Sequence, residues 1–121
     1  MGGCAAQPFA AFEDPRPEGR LSLRERSRCE VPDAPSDRAN WCDYPHEVRA
    51  FLDKREGCDH FRGEPVPEPA DDPGGERRRE IETALSKLCT GSDAELARLR
   101  TRYRDDADVS AVLNAFESDI E

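Results

Sequence analysis

Apolar residues recur at helical spacing through the last two thirds of this chain. After Pro45 they stand three or four positions apart, and charged residues fill the positions between them. The apolar residues of this first run are Trp41 and Tyr44, just before Pro45, and Val48, Phe51 and Leu52 after it. Such spacing places them on one face of a helix. Pro45 suits the opening of that helix, Asp43 suits its cap, and Gly57 is predicted to end it.

The same periodicity predicts three further helices. The second covers about residues 76–89 and stops before Gly91. Ser92 and Glu95 match a capping box that would open the third helix, and Asp108 is placed to cap the fourth. The inner faces of these helices consist of apolar residues, namely Ile81, Ala84, Leu85, Leu88, Leu96, Leu99, Tyr103, Val109, Val112, Leu113, Phe116 and Ile120.

Residues 1–40 have a different composition, rich in proline and charge and poor in apolar side chains. Such a stretch buries too little apolar surface to offset its ordering entropy. We predict a flexible, extended, proline-rich arm over residues 1–40 and an all-α domain over residues 41–121. That domain is expected to be a small bundle of about four short helices, with residues 64–75 as an extended strap between the first two.

The overall composition restricts the classes of partner. Only 36% of the chain is hydrophobic, so a core built from roughly 80 residues would be marginal without covalent cross-links. The net charge of −9 repels phosphate backbones, so nucleic acid is not expected as a partner. No apolar run approaches the ~18 residues needed to span a bilayer.

The first residues, Gly2-Gly3-Cys4-Ala5-Ala6, resemble the end of a bacterial lipoprotein signal. In such signals small residues precede a cysteine that is lipidated after cleavage, and we expect the apolar part of the signal to have been removed. A lipid on Cys4 would anchor the chain, and Ala5 matches the outer-membrane sorting pattern. Myristoylation fits less well because Ala6 replaces the Ser or Thr of that motif. An ordinary start with an incidental cysteine is the remaining alternative.

The other four cysteines are Cys29, Cys42, Cys58 and Cys89. An even number in a small exported chain favours disulfides and an oxidising compartment. A straight first helix over residues 46–57 would separate its own ends by roughly 17 Å, whereas bridged Cα atoms lie within about 7 Å. A bridge between Cys42 and Cys58 is therefore not expected. Two pairings stay open: Cys29–Cys42 with Cys58–Cys89, or Cys29–Cys58 with Cys42–Cys89. We favour the first because Cys58 and Cys89 both lie at helix ends, although antiparallel packing of the first two helices would favour the second.

The densest candidate chemistry lies in the stretch from Cys58 to Glu64. Its polar side chains form a candidate recognition patch that comprises Asp59, His60, Arg62 and Glu64. The structural alternative is that Cys58 forms a bridge, Phe61 enters the core, and His60 or Arg62 binds helix-end carbonyls or carboxylates. Catalysis by Cys58 with His60 would require a free thiolate, which a bridged cysteine lacks.

Metal binding is the alternative function. Zinc accepts cysteine and histidine ligands tetrahedrally, and the candidate ligands are Cys42, His46, Cys58 and His60. No paired-cysteine knuckle accompanies them, and oxidation of Cys42 and Cys58 would abolish the site. We therefore predict no metal, no cofactor and no catalytic residue.

The chain resembles small uncharacterised bacterial proteins and lipoproteins over roughly residues 45–118. The resemblance rests on Phe51, Arg55, the motif from Cys58 to Glu64, the motif Cys89-Thr90-Gly91-Ser92-Asp93, and then Leu96, Leu99 and Tyr103. It implies a bacterial, exported, helical domain and implies no catalytic residue. Since both motifs contain a cysteine, it also favours the pairing of Cys58 with Cys89.

Together these observations predict a non-enzymatic protein of the bacterial envelope. It would be periplasmic or anchored as an outer-membrane lipoprotein through Cys4, and it would act by binding another envelope protein as an inhibitor, immunity factor or assembly accessory. A small metal-binding domain is the alternative.

Overall fold

The computed structural model describes residues 21–121, which contain helices and no strand. The α-helices are α1 (Leu23–Arg28), α2 (His46–Arg62), α3 (Glu76–Cys89), α4 (Ser92–Arg102) and α5 (Ala107–Leu113), with 3-10 turns at Trp41–Asp43 and Pro69–Asp71. The all-α prediction is confirmed, and α2 to α5 are the four helices of the predicted bundle. Within residues 21–121 no helix combines the length and the apolarity required to cross a membrane.

The core lies between α2, α4, α5 and the 3-10 turn that precedes α2. Its buried side chains come from the predicted apolar faces: Trp41, Tyr44, Val48, Phe51, Leu52, Leu96, Leu99, Tyr103, Val109, Val112 and Leu113. Helix α3 stands outside this cluster. Its Ile81 is buried, but the other apolar residues of its inner face are only partly covered. Helix α3 packs along α2 instead.

Helix α2 continues through Gly57 to Arg62, so the predicted helix end at Gly57 is wrong. A Cβ atom at position 57 would stand only 3.1 Å from Cδ1 of Leu88 in α3. Glycine therefore permits a close approach of the two helices, and this packing outweighs the low helix propensity of glycine. As a result, the segment from Cys58 to Arg62 forms the end of α2.

Two disulfides cross-link the chain, Cys29–Cys42 and Cys58–Cys89. They are the favoured pairing of the two left open by the sequence. The Cα atoms are 6.0 Å apart in the first bridge and 5.1 Å apart in the second. The Cys58–Cys89 bridge joins α2 to the end of α3, and Cys58 is fully buried.

The predicted arm is described only from residue 21 onwards, and Cys4 lies outside the described residues. Helix α1 falls within this arm and differs from the prediction, because its six residues include one apolar residue, Leu23, and so show no apolar face. Ser22 and Glu25 form a reciprocal capping box at its start. Arg26 pairs with Asp43 at 2.6 Å and donates to the carbonyl of Cys42 at 3.2 Å. These contacts and the first disulfide attach the end of the arm to the helical domain.

Three predicted caps differ in the structure. Pro45 occupies the N-cap position of α2 that was assigned to Asp43, and Asp43 pairs with Arg26. At α5 the cap is Asp106, whose side chain accepts from the amide of Val109 at 3.1 Å, two positions before the predicted Asp108.

The third difference is at α4, where Gly91 is the N-cap and has a φ of 83°. That left-handed conformation suits glycine. Ser92 is consequently the first helical residue, and its hydroxyl is buried and accepts a hydrogen bond from Arg55 at 3.0 Å. The predicted capping box from Ser92 to Glu95 is therefore wrong.

The Cys58–Cys89 bridge should stabilise the fold more than the Cys29–Cys42 bridge. It closes the longer loop, with a sequence separation of 31 against 13, and the chain-entropy relation gives about 4 against about 3 kcal/mol. We expect paired Cys→Ala variants to show this order in free energies of unfolding from urea denaturation. An equal or reversed order would contradict the cross-linking role assigned to the second bridge.

Candidate functional site

The predicted recognition patch lies at the end of α2, immediately beyond the buried Cys58. His60 is half exposed, at 50% of its side-chain surface, while Asp59 and Arg62 are exposed by about a third and Glu64 by a quarter. The Cys58–Cys89 disulfide joins this end of α2 to α3. The four polar side chains therefore lie at the surface, next to a part of α2 that a covalent bond fixes to α3.

Ion pairs connect the patch residues to one another and to α3. Arg62 donates to Oδ1 of Asp59 at 2.9 Å, and Nε2 of His60 lies 3.4 Å from Oε1 of Glu64. The same Glu64 oxygen lies 3.2 Å from Nη2 of Arg77 near the start of α3. Hence the patch is an ordered array of both charge signs.

Phe61 does not enter the core, contrary to the structural alternative. Its ring packs edge-on against His60, with centroids 5.1 Å apart, and it is only partly buried. The patch thus includes an aromatic surface beside its charges. That combination is common at protein-binding surfaces.

Arg55 lies beneath the patch, buried to 1% exposure. Its Nε donates to Asp59 at 3.1 Å, Nη1 donates to the hydroxyl of Ser92 at 3.0 Å, and Nη2 donates to the carbonyl of Glu117 at 2.7 Å. One guanidinium therefore connects the patch, the start of α4 and the residues that follow α5.

A second charged cluster lies between α2 and α4. The Glu47 carboxylate accepts hydrogen bonds from Arg98 at 2.9 Å and from the hydroxyl of Tyr103 at 2.5 Å, and it pairs with Arg102 at 2.8 Å. Hydrogen bonds to Glu95 and Glu47 raise the pKa of Arg98 above its usual range, and the hydrogen bond from Arg98 lowers the pKa of Glu95. The contacts of Glu47 with Arg98, Arg102 and Tyr103 hold α2 against α4, which is a structural role.

Residues 114–121, called segment 114–121 below, follow α5 without forming a helix or strand. Asp93 accepts hydrogen bonds from the amides of Ile120 and Glu121, both at 3.0 Å. In return, the Glu121 carboxylate accepts from the amides of Gly91 and Asp93, both at 3.1 Å. The start of α4 is thus capped by a side chain remote in sequence, and hydrogen bonds from Ile120 and Glu121 lower the pKa of Asp93.

A cleft of about 270 Å³ opens between α2, the end of α3 and the start of α4. Phe51 and Leu88 supply apolar walls, while Lys54 donates to the carbonyl of Thr90 at 3.3 Å. The cleft contains no thiol and no histidine. Its chemistry is that of a small amphipathic recess.

The structure does not bring the alternative metal ligands together. Cys42 and Cys58 belong to different disulfides, so neither offers a thiolate. His46 and His60 lie at opposite ends of α2, roughly 21 Å apart along the axis. Within residues 21–121 no group of three or more His, Cys, Asp and Glu side chains is arranged to hold a metal ion. The alternative Cys/His ligand set is therefore not assembled among the described residues, and the bridged Cys58 is not a nucleophile.

Sequence reasoning missed the role of Arg55. The signal was present, because positions 48, 51, 52, 55 and 58 share one face of α2 and only position 55 carries a charge. An arginine at such a position is buried only when it has several partners. Those partners, Ser92 and the Glu117 carbonyl, are remote in sequence, so the pattern could not name them.

Replacing Arg55 should destabilise the chain strongly. Arg55→Met keeps most of the volume but leaves the Ser92 hydroxyl and the Glu117 carbonyl without their donor. We expect a loss of about 2–4 kcal/mol in the free energy of unfolding, measured by urea denaturation. The matched Arg62→Met variant should lose less than about 1 kcal/mol, because Arg62 is exposed. Equal losses would contradict the connecting role of Arg55.

The lowered pKa of Asp93 makes its contribution to stability sensitive to acid. A carboxyl whose pKa is lower in the folded chain stabilises that chain above its unfolded pKa of about 3.9. This stabilisation is lost as the pH falls through the folded pKa. We expect the wild-type chain to lose more stability than Asp93→Asn between about pH 5 and about pH 2. Parallel pH profiles in thermal unfolding would show that Asp93 has no such role.

No protein-family model matches this chain, and no curated protein or solved structure is significantly similar to it. The resemblance suggested by the motif from Cys58 to Glu64 therefore stays a prediction.

Proposed function

We propose that this protein is a non-enzymatic, extracytoplasmic protein that binds another protein through the recognition patch of Asp59, His60, Arg62 and Glu64. The partner would be a protein of the bacterial envelope, and binding would serve inhibition, immunity or assembly. The observation that carries the proposal is the geometry of the patch, in which exposed charges and the Phe61 ring are held in order at the end of α2.

The ordering of the patch is what supports a binding role. Long charged side chains usually lose rotamer entropy when a partner immobilises them. Here Asp59 and Glu64 are already held by arginines of α2 and α3, and Cys58 ties the underlying turn to α3. A preorganised surface of this kind binds with a smaller entropic penalty than a mobile one.

The two disulfides support the extracytoplasmic location. Structural disulfides form and persist in oxidising compartments and are rare in the cytosol. The lipoprotein-like stretch around Cys4 is consistent with anchoring in the envelope. Whether the chain is anchored is tested by its mass, since acyl groups on Cys4 add a defined increment.

Photo-crosslinking in envelope extract tests the proposed binding. A photoreactive residue at position 66, in the exposed strap beside the patch, should crosslink one envelope protein at a stoichiometric level. His60→Ala with Arg62→Ala should reduce that crosslink by about tenfold, because interface centres carry most of the binding energy. Intact mass of the chain recovered from the same extract reports the disulfides and the acylation of Cys4.

The matched control carries the same two residue types at exposed positions elsewhere, His46→Ala with Arg104→Ala. It should keep the wild-type crosslink. If both double variants crosslink equally, the patch is not the binding surface. If chains from the envelope carry reduced thiols, the assigned compartment is wrong, and an unacylated Cys4 would exclude the lipid anchor.

A further inference from the structure

The surface that holds segment 114–121 has the features of a peptide-binding site. We propose that it is a peptide-binding groove occupied by the chain's own segment. Its external ligand would be a peptide with an aromatic residue followed five positions later by a carboxylate, as in Phe116 and Glu121. This inference goes beyond the proposed function, because it assigns a second binding surface along α2 and α4. That surface borders the recognition patch, where Arg62 lies 3.9 Å from the Glu117 carboxylate.

The first subsite of the groove receives the aromatic ring. Phe116 packs edge-on against Phe51, with centroids 5.6 Å apart. The guanidinium carbons of Arg55 and Arg38 lie 5.3 Å and 5.8 Å from the centre of the same ring. An aromatic ring near two cations and another ring is favoured over an aliphatic side chain of similar size.

The second subsite recognises the main chain. Arg100 donates to the carbonyl of Phe116 at 2.8 Å, and Arg55 donates to the carbonyl of Glu117 at 2.7 Å. These bonds do not depend on the side chains of the bound segment. They would therefore hold any peptide that follows the same path.

The third subsite receives a carboxylate and the amides beside it. The Gly91 and Asp93 amides donate to the two oxygens of Glu121, while Asp93 accepts from the amides of Ile120 and Glu121. The start of α4, a helix of 11 residues, also favours a negative charge through its dipole. The groove thus offers both donors and acceptors to the main chain of the segment, and main-chain hydrogen bonds of this kind give affinity in sites that bind extended peptides.

The resident segment is held in a way that permits exchange. It contains no helix after Leu113 and no disulfide. Glu117, Ser118 and Asp119 are exposed, and only Phe116 packs against the core. A competing peptide of the same chemistry therefore has to displace one aromatic ring and a set of largely exposed hydrogen bonds.

Displacement by a synthetic peptide tests the proposal. The probe is a fluorescent peptide with the sequence of residues 114–121, blocked at both ends so that its acidic groups are side chains alone. The host chain is the full-length Phe116→Ala/Glu121→Gln variant, in which the resident segment is weakened at both side-chain subsites. While the resident segment occupies the groove, the apparent affinity for the probe falls in proportion to the fraction of molecules whose groove is open. The probe should therefore bind this variant at least about tenfold more tightly than the wild-type chain.

The matched control is Phe61→Ala/Glu68→Gln, which makes the same changes outside the groove and should bind the probe as the wild type does. A probe with Ala at position 116 and Gln at position 121 should not bind the opened variant. The proposal is overturned if the probe binds no chain at about 1 mM, or if it binds the wild type and the opened variant equally. If circular dichroism shows that the double variant does not fold, the Glu121→Gln single variant replaces it. That variant should still bind the probe more tightly than the wild type does, and an unchanged affinity would overturn the proposal.

Discussion

The buried guanidinium of Arg55 is the interaction on which the arrangement of this molecule depends. An arginine withdrawn from water costs several kcal/mol unless its donors find partners. Arg55 has partners on α2, at the start of α4 and in segment 114–121, and a lysine could not supply so many donors in one plane. The ion therefore determines how three parts of the chain meet.

The same arrangement links the core to the surface. Asp59 accepts from both Arg55 and Arg62, so one carboxylate belongs to the buried contact and to the exposed patch. The Cys58–Cys89 bridge holds the adjoining turn against α3. Helix α3 shares no residue with the main core cluster, and the covalent link compensates for the apolar surface that it leaves partly uncovered.

Much of the architecture followed from hydrophobic periodicity and helix-stop residues. Residues 76–89 form α3 as predicted, and the predicted apolar faces of α4 and α5 lie in the core as far as Leu113. The predicted extension of the last helix to Phe116 and Ile120 is wrong, because α5 ends at Leu113. Periodicity succeeds because burial of one face is the main source of helix stability in proteins. The even number of cysteines and the location of Cys58 and Cys89 at helix ends favoured the observed disulfide pairing, but they left the alternative pairing open.

Local sequence patterns determined the helical class, the polar character of the recognition patch and the need for cross-links. Only the tertiary structure decided which residues remote in sequence contact one another. Gly57 looks like a helix end but is where α3 approaches α2. Ser92 looks like a cap, yet its hydroxyl accepts from Arg55 while Glu121 binds the free amides of α4. Such pairings depend on which chain segments meet in space, and a sequence pattern read within a few residues carries no information about that.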